Sequence, residues 1–221
     1  MERKKMTKAL IGESLKVLMH DHPFEKITIK MITDEAGVIR PTFYNYFCDK
    51  YEVVEWIFNE NIIEKVRSMF EQKMYTEGLK LLFVCMKNDC TFYKKAFEIT
   101  GQNAFTDIVK NSLYQLFITE VNFSYIESQS TNPLLTPEMV AAFYSISLAN
   151  LLQLWIRSNN QEYTAENMVE AYALSVTEYR ILLFQQKNLP ETKCFDRFSF
   201  YLLIYTNNSA KSIPACGLAE Y

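Results

Sequence analysis

The stretch Thr28-Ile29-Lys30-Met31-Ile32-Thr33-Asp34-Glu35-Ala36-Gly37-Val38-Ile39-Arg40-Pro41-Thr42-Phe43-Tyr44-Asn45-Tyr46-Phe47-Cys48-Asp49-Lys50 carries two short helical patterns separated by one glycine. Thr28 has the hydroxyl of a helix N-cap, and Ile29, Ile32 and Ala36 recur at the spacing of one helix face. Ile27 before the cap and Ile32 four positions into the helix form a hydrophobic staple. Gly37 stands where the chain must turn, because glycine reaches left-handed φ without steric cost. Pro41 suits the first position of the next helix, where its missing N–H leaves no bond unmade. That helix is expected over Pro41 to about Phe47. Phe43 and Phe47, four apart, share its buried side, while Thr42, Tyr44, Asn45 and Tyr46 fall on the others. Asp49 followed by Glu52 reads as a capping box opening a further helix with Val53, Val54, Trp56, Ile57 and Phe58. Two short helices joined through a glycine turn are the helix-turn-helix signature.

The flanking sequence extends the helical pattern in both directions. Leu10, Ile11, Leu15 and Leu18 predict a helix from Thr7 to about Met19, closed by the cluster His20-Asp21-His22-Pro23. Downstream, apolar residues predict continuation of the fourth helix through Ile62, Ile63, Val66, Met69 and Phe70. Further helices are expected near Leu79–Met86, at Phe92–Ile99 before Gly101, and over Phe105–Val121. Thr136 and Thr164 cap two more, starting at Pro137 and ending at Ser158, and running to about Phe184. Five glycines and six prolines in 221 residues suit helices better than a turn-rich β fold. The expected fold is all-α. A helix-turn-helix domain spans 1–58, a larger helical regulatory and dimerisation domain 59–185, and a C-terminal extension 186–221. The extension is set apart by Pro190 and by the β-prone run Phe198–Tyr205.

Twenty-three Lys+Arg against 26 Asp+Glu leave a net charge of −3, which excludes a protein that coats nucleic acid over its whole surface. The charge is unevenly placed. Residues 1–50 hold nine basic and seven acidic side chains, a net +2, and the remaining fourteen and nineteen leave −5. Arg3, Lys4, Lys5, Lys8, Lys30, Arg40 and Lys50 form the positive end. Five scattered cysteines read as reduced thiols of a cytosolic protein. The two histidines have no third ligand nearby, so no metal site is expected. No phosphate loop, Gly-x-Ser-x-Gly or other catalytic constellation occurs, so no catalytic residue and no cofactor are assigned. Apolar runs read as shorter than a membrane span requires, and a cytoplasmic location without membrane association is expected.

The Thr28–Val38 stretch, the Pro41–Phe47 run and Lys50 together resemble the DNA-binding domain of TetR-family transcription regulators. The resemblance covers about residues 7 to 58. It implies a homodimer reading a pseudo-palindromic double-stranded operator through Arg40, Pro41 and Thr42 at the start of the recognition helix. Arg40 could bond a guanine, and Thr42 a base or a thymine methyl. Tyr44, Asn45 and Tyr46 are further candidates. Thr28, Lys30 and Lys50 are candidate phosphate contacts, Lys50 beside the free N–H groups of the fourth helix. Ile39 departs from a usually polar position and can make no base hydrogen bond. Bland alternatives stand beside these: Tyr44 packing against Trp56, Thr28 as a cap only, and the N-terminal residues as either a solvated tail or a phosphate clamp.

Dimerisation is assigned to the helices at Pro137–Ser158 and Thr164–Phe184, with Ala141, Ala142, Ser145 and Ala149 allowing close approach. The family also implies a small, largely apolar ligand, with Phe83, Met86, Phe97, Tyr114, Phe117 and Trp155 as candidate lining. The run Tyr46–Tyr51 with Trp56–Phe58 is similar to the subgroup containing the activator of dihydroxyacetone-kinase operons, in which a protein co-regulator can supply the input. Repression and activation use the same head. The alternative reading is a helical protein-interaction module without DNA binding.

Overall fold

The computed structural model describes residues 2–101, 103–121, 133–158 and 163–173. The chain divides into two compact units, Met1–Tyr172 and Ala173–Tyr221. All described residues but Ala173 belong to the first. The extension 186–221 and the helix expected over residues 174–184 lie outside the described residues.

Every regular element among the described residues is helical. The order is α1 (Glu2–Asp21), a 3₁₀ turn (Phe24–Lys26), α2 (Ile29–Glu35), α3 (Arg40–Tyr44) and α4 (Lys50–Phe58). A π-helical turn (Asn59–Ile63) leads into α5 (Glu64–Glu71), followed by α6 (Tyr75–Asn88), α7 (Cys90–Ala96), α8 (Phe105–Glu120) and α9 (Pro137–Ser158). Residues 165–173 are helical again.

Helix α1 starts five residues before the expected Thr7 cap. The basic N-terminal residues are therefore part of a helix rather than a tail. Lys5 pairs with Glu60 of the π-helical turn, and Lys8 lies 5.0 Å over the Phe47 ring. The inner face of α1, Ile11, Leu15 and Met19, is fully buried. Gly12 lets α1 approach α4 closely, since a Cβ there would stand 2.8 Å from Trp56 Cζ3. Small size is what this crossing requires.

The fourth helix continues as expected, but the register changes once, at Asn59–Ile63. A wider π turn of this kind rotates the following residues, so Val66 and Phe70 of α5 face the core as Val54 and Phe58 of α4 do. Phe58 meets Phe105 of α8 at 5.6 Å and Tyr93 of α7 at 6.4 Å, and Phe97 meets Phe105 at 4.9 Å. This aromatic cluster joins the end of α4 to α7 and α8. Tyr93 is buried in it with no hydrogen-bond partner for its hydroxyl, and burial pushes the phenol far above its ordinary pKa. Helix α7 also fastens to α1. Lys16 pairs with Asp89 at 2.5 Å, and Lys95 donates to the carbonyl of His20 at 2.6 Å. Burial works against the Lys16 charge, but Asp89 and Glu13 outweigh it and hold the ammonium above its usual pKa.

Helix α9 packs chiefly on α8. Its bounds and its cap match expectation, the Met139 N–H donating to Thr136 Oγ1 at 3.3 Å. Two other expectations are corrected. By length and composition α9 is apolar enough to cross a membrane, longer than the apolar runs expected from the sequence. It is nonetheless amphipathic in its packing, with Val140, Leu148, Leu152, Trp155 and Ile156 buried in the fold. Of the four small residues, Ala141, Ser145 and Ala149 are also buried within the protomer, so they bring α9 close to its own neighbours and are not open to a second subunit, while Ala142 is half-buried.

Candidate nucleic-acid interface

The helix-turn-helix is set by local bonds. Thr28 Oγ1 accepts from the Met31 N–H at 3.2 Å, so Thr28 is the cap of α2, and Ile27 and Ile32 are both buried as a staple. Gly37 adopts φ +63°, in the region that penalises every other residue type. The Val38 N–H then closes the turn on the carbonyl of Thr33 at 3.0 Å. Helix α3 begins one residue before the expected Pro41 and is short, five residues. Its inward anchor is Phe43, fully buried, with Phe47 beyond the helix end 5.9 Å away and Trp56 6.0 Å further on. Tyr44 therefore does not pack on Trp56; Phe47 does.

The capping box of α4 forms with a one-residue offset. Asp49 Oδ1 accepts from the N–H groups of Tyr51 (2.8 Å) and Glu52 (2.9 Å), while Glu52 Oε2 accepts from Cys48 rather than from the cap itself (2.6 Å).

With Phe43 buried, the opposite face of α3 is left to solvent. Ile39, Arg40, Pro41, Tyr44 and Asn45 are exposed, and Thr42 and Tyr46 are half-buried. No Asp or Glu occurs from Ala36 to Cys48, so α3 and its immediate flanks contribute no acid to this face. Arg40 Nη2 donates to Tyr44 Oη at 3.1 Å, and the guanidinium lies 5.5 Å from the centre of the same ring. This pair restrains a long, flexible cation on the outer face of the helix. Lys30 is exposed on α2 and shares its charge with Asp34 at 2.6 Å. It keeps donors for a phosphate but brings less net charge than its type implies.

Lys50 departs from expectation. Its ammonium donates to the carbonyls of Phe24 (2.7 Å), Ile27 (2.9 Å) and Glu25 (3.3 Å) and lies 4.4 Å over the Phe24 ring. Three protons meet three carbonyls, which leaves none for a phosphate in this arrangement. Burial lowers the pKa of the group. Lys50 thus ties the first turn of α4 to the segment leading into α2. The partners lie 23 to 26 residues upstream, and no local pattern announces them.

The candidate ligand residues lie mostly in the core of the helical body. Phe83, Met86, Phe97, Phe117 and Trp155 are buried and Tyr114 is half-buried. Phe83 and Trp155 meet at 5.1 Å, but Phe97 belongs with Phe105, and Phe117 stacks on Phe70 at 6.1 Å. Among the described residues, no group of three His, Cys, Asp or Glu could hold a metal ion, and His20 bonds Asp21 at 2.8 Å at the exposed end of α1, which runs through both residues instead of stopping before them.

Known proteins agree with this geometry. Residues 14–57 match the family described as bacterial regulatory proteins, tetR family, and residues 73–175 match a transcriptional regulator C-terminal region of the same group. A curated relative, the HTH-type dhaKLM operon transcriptional activator DhaS of Lactococcus lactis subsp. lactis (strain IL1403), is 29% identical over 99 residues, 45% of this chain. The chain matches about half of that relative's length, 53%. Two solved structures share the fold. A dihydroxyacetone kinase operon activator DhaS has TM-score 0.51 and 22% identity over 81% of this chain and 95% of its own. A TetR-family transcriptional regulator from Syntrophomonas wolfei str. Goettingen has TM-score 0.61 and 16% identity over 80% and 96%.

Proposed function

This chain belongs to the TetR family of bacterial transcription regulators, and from that premise we propose that it binds a pseudo-palindromic double-stranded operator as a homodimer. The family consists of regulators, not enzymes. The observation that carries the reading is the outer face of α3, to which the helix and its flanks contribute no acid, with Arg40 restrained by Tyr44 above a buried Phe43. A helix held in this way enters the major groove with its N-terminal residues toward the bases. Arg40 reads a guanine, Pro41 and Thr42 adjoin it, and Asn45, Tyr46, Tyr44, Thr28 and Lys30 reach phosphates or bases on either side. Lys50 acts through the fold.

One α3 reads too few base pairs for useful specificity, so two heads are paired. The side of α9 turned away from α8 offers Met139 and Leu154, 51% and 54% exposed, on one stripe with half-buried Ile146. This stripe, rather than the small residues, is the proposed dimer face. The domains divide at 58, and the body receives the regulatory input, from a small apolar ligand or a protein co-regulator, in the cytoplasm. The subgroup resemblance of the Tyr46–Tyr51 run, which implies that a protein co-regulator can supply the input, favours a protein partner as the source.

Mobility shift of the full chain on its own promoter region tests the reading. A retarded band at low salt that weakens as salt rises is expected, and no retardation at low salt overturns it.

A further inference from the structure

Ile39 is the most exposed of the large apolar side chains among the described residues, at 69%. It occupies the N-cap of α3 with extended backbone and no side-chain cap bond, where Thr28 and Asp49 cap α2 and α4 with oxygen. An N-cap of Ser, Thr, Asp or Asn is more stable than an aliphatic one, and a bare isoleucine surface adds hydration cost. Nothing among the described residues compensates. Phe43 and Phe47 already fill the core beneath, and Ile39 interacts through its backbone, its carbonyl accepting from Thr42 at 2.9 Å. A residue that breaks the local rule without a folded-state gain points to a site selected for contact.

Resting on the DNA-binding reading above, we propose that Ile39 is a specificity residue that reads the C5-methyl group of a thymine in each half-site, next to the base pair read by Arg40. The surroundings select this occupant. Ile39 adjoins the Arg40 guanidinium on a face to which α3 and its flanks contribute no acid, which suits a polyanion presenting an apolar group beside hydrogen-bond acceptors. The major-groove edge of a thymine beside a guanine presents that combination. An uncharged apolar partner would leave Arg40 without a counter-charge.

The test uses duplexes selected from a random pool by the full chain, with each thymine replaced in turn by deoxyuridine, which removes only the methyl. One position per half-site is expected to lose about fourfold in affinity, the value of one buried methyl group. The same duplexes are then bound to Ile39→Ser, which restores a capping hydroxyl and so keeps α3 formed. Discrimination between thymine and uracil at that position is expected to vanish in the variant. Equal binding of every uracil duplex by the wild type overturns the proposal, as does discrimination that persists in Ile39→Ser. Failure of the wild type to enrich any duplex removes the DNA-binding reading itself, and this inference with it.

Discussion

Lys50→Met separates two roles that a lysine at the start of α4 can have. Methionine keeps much of the apolar stem over Phe24 but removes the ammonium, and with it the bonds to the carbonyls of Phe24, Ile27 and Glu25. A hydrogen bond from a charged donor contributes about 1.5–3 kcal/mol, and a cation over a ring about 0.5–1 kcal/mol. The three bonds share one partly buried ammonium whose desolvation opposes them, and the carbonyl of Phe24 keeps the Ile27 N–H at 3.1 Å. The net loss is therefore close to that of one good charged bond, about 2 kcal/mol. Urea unfolding followed by circular dichroism reads this loss directly. DNA affinity measured across a salt series reads the alternative. A lysine that neutralises a phosphate contributes about 0.9 to the slope of log K against log salt. The geometry predicts lower stability, weaker binding through a displaced α2, and an unchanged slope. Stability within about 0.5 kcal/mol of wild type, together with a slope reduced by about 0.9 per head, would refute the reasoning.

Three other substitutions follow from single contacts. Gly12→Ala gains about 1 kcal/mol of helix propensity but drives a methyl against Trp56, where overpacking costs about 1–3 kcal/mol; a lower melting temperature is expected, and a raised one contradicts the close crossing of α1 and α4. Tyr93→Phe removes a buried hydroxyl that has no partner and should raise stability by about 1 kcal/mol in urea titrations. A loss of that size instead would mean the hydroxyl is bonded. Arg40→Ala should cost about 1–3 kcal/mol in operator affinity and relax preference at one base position, as read by competition with single-base variants. Uniform weakening across all sequences would assign Arg40 to a phosphate.

The head was legible because its determinants are local. Thr28, Gly37 and Asp49 act on amides within five positions of themselves, and Phe43 with Phe47 shows its inward face at helical spacing. Long-range partners left no such trace. Lys50 reads as a free cation at a helix start until the carbonyls of the preceding turn are placed around it. Glu52 reaching Cys48 instead of Asp49 is a one-residue offset that propensity does not encode. The small residues of α9 read as an interface because small side chains permit any close approach, and only the position of α8 shows which one they serve. The π turn at Asn59–Ile63 is likewise invisible in an unbroken apolar pattern. The ring partners of the candidate ligand aromatics, Phe70 for Phe117 and Phe105 for Phe97, were not legible either, because a helical period gives each residue a face but not a neighbour.

The central claim is that the outer face of α3 reads a symmetric DNA site, and selection of bound duplexes from a random pool by the purified full chain tests it most directly. The account predicts enrichment of a pseudo-palindrome whose half-sites are centred about 34–36 Å, or one helical turn, apart, with enrichment lost in Arg40→Ala. A pool that stays random after repeated rounds, or an enriched site without two-fold symmetry, would contradict it.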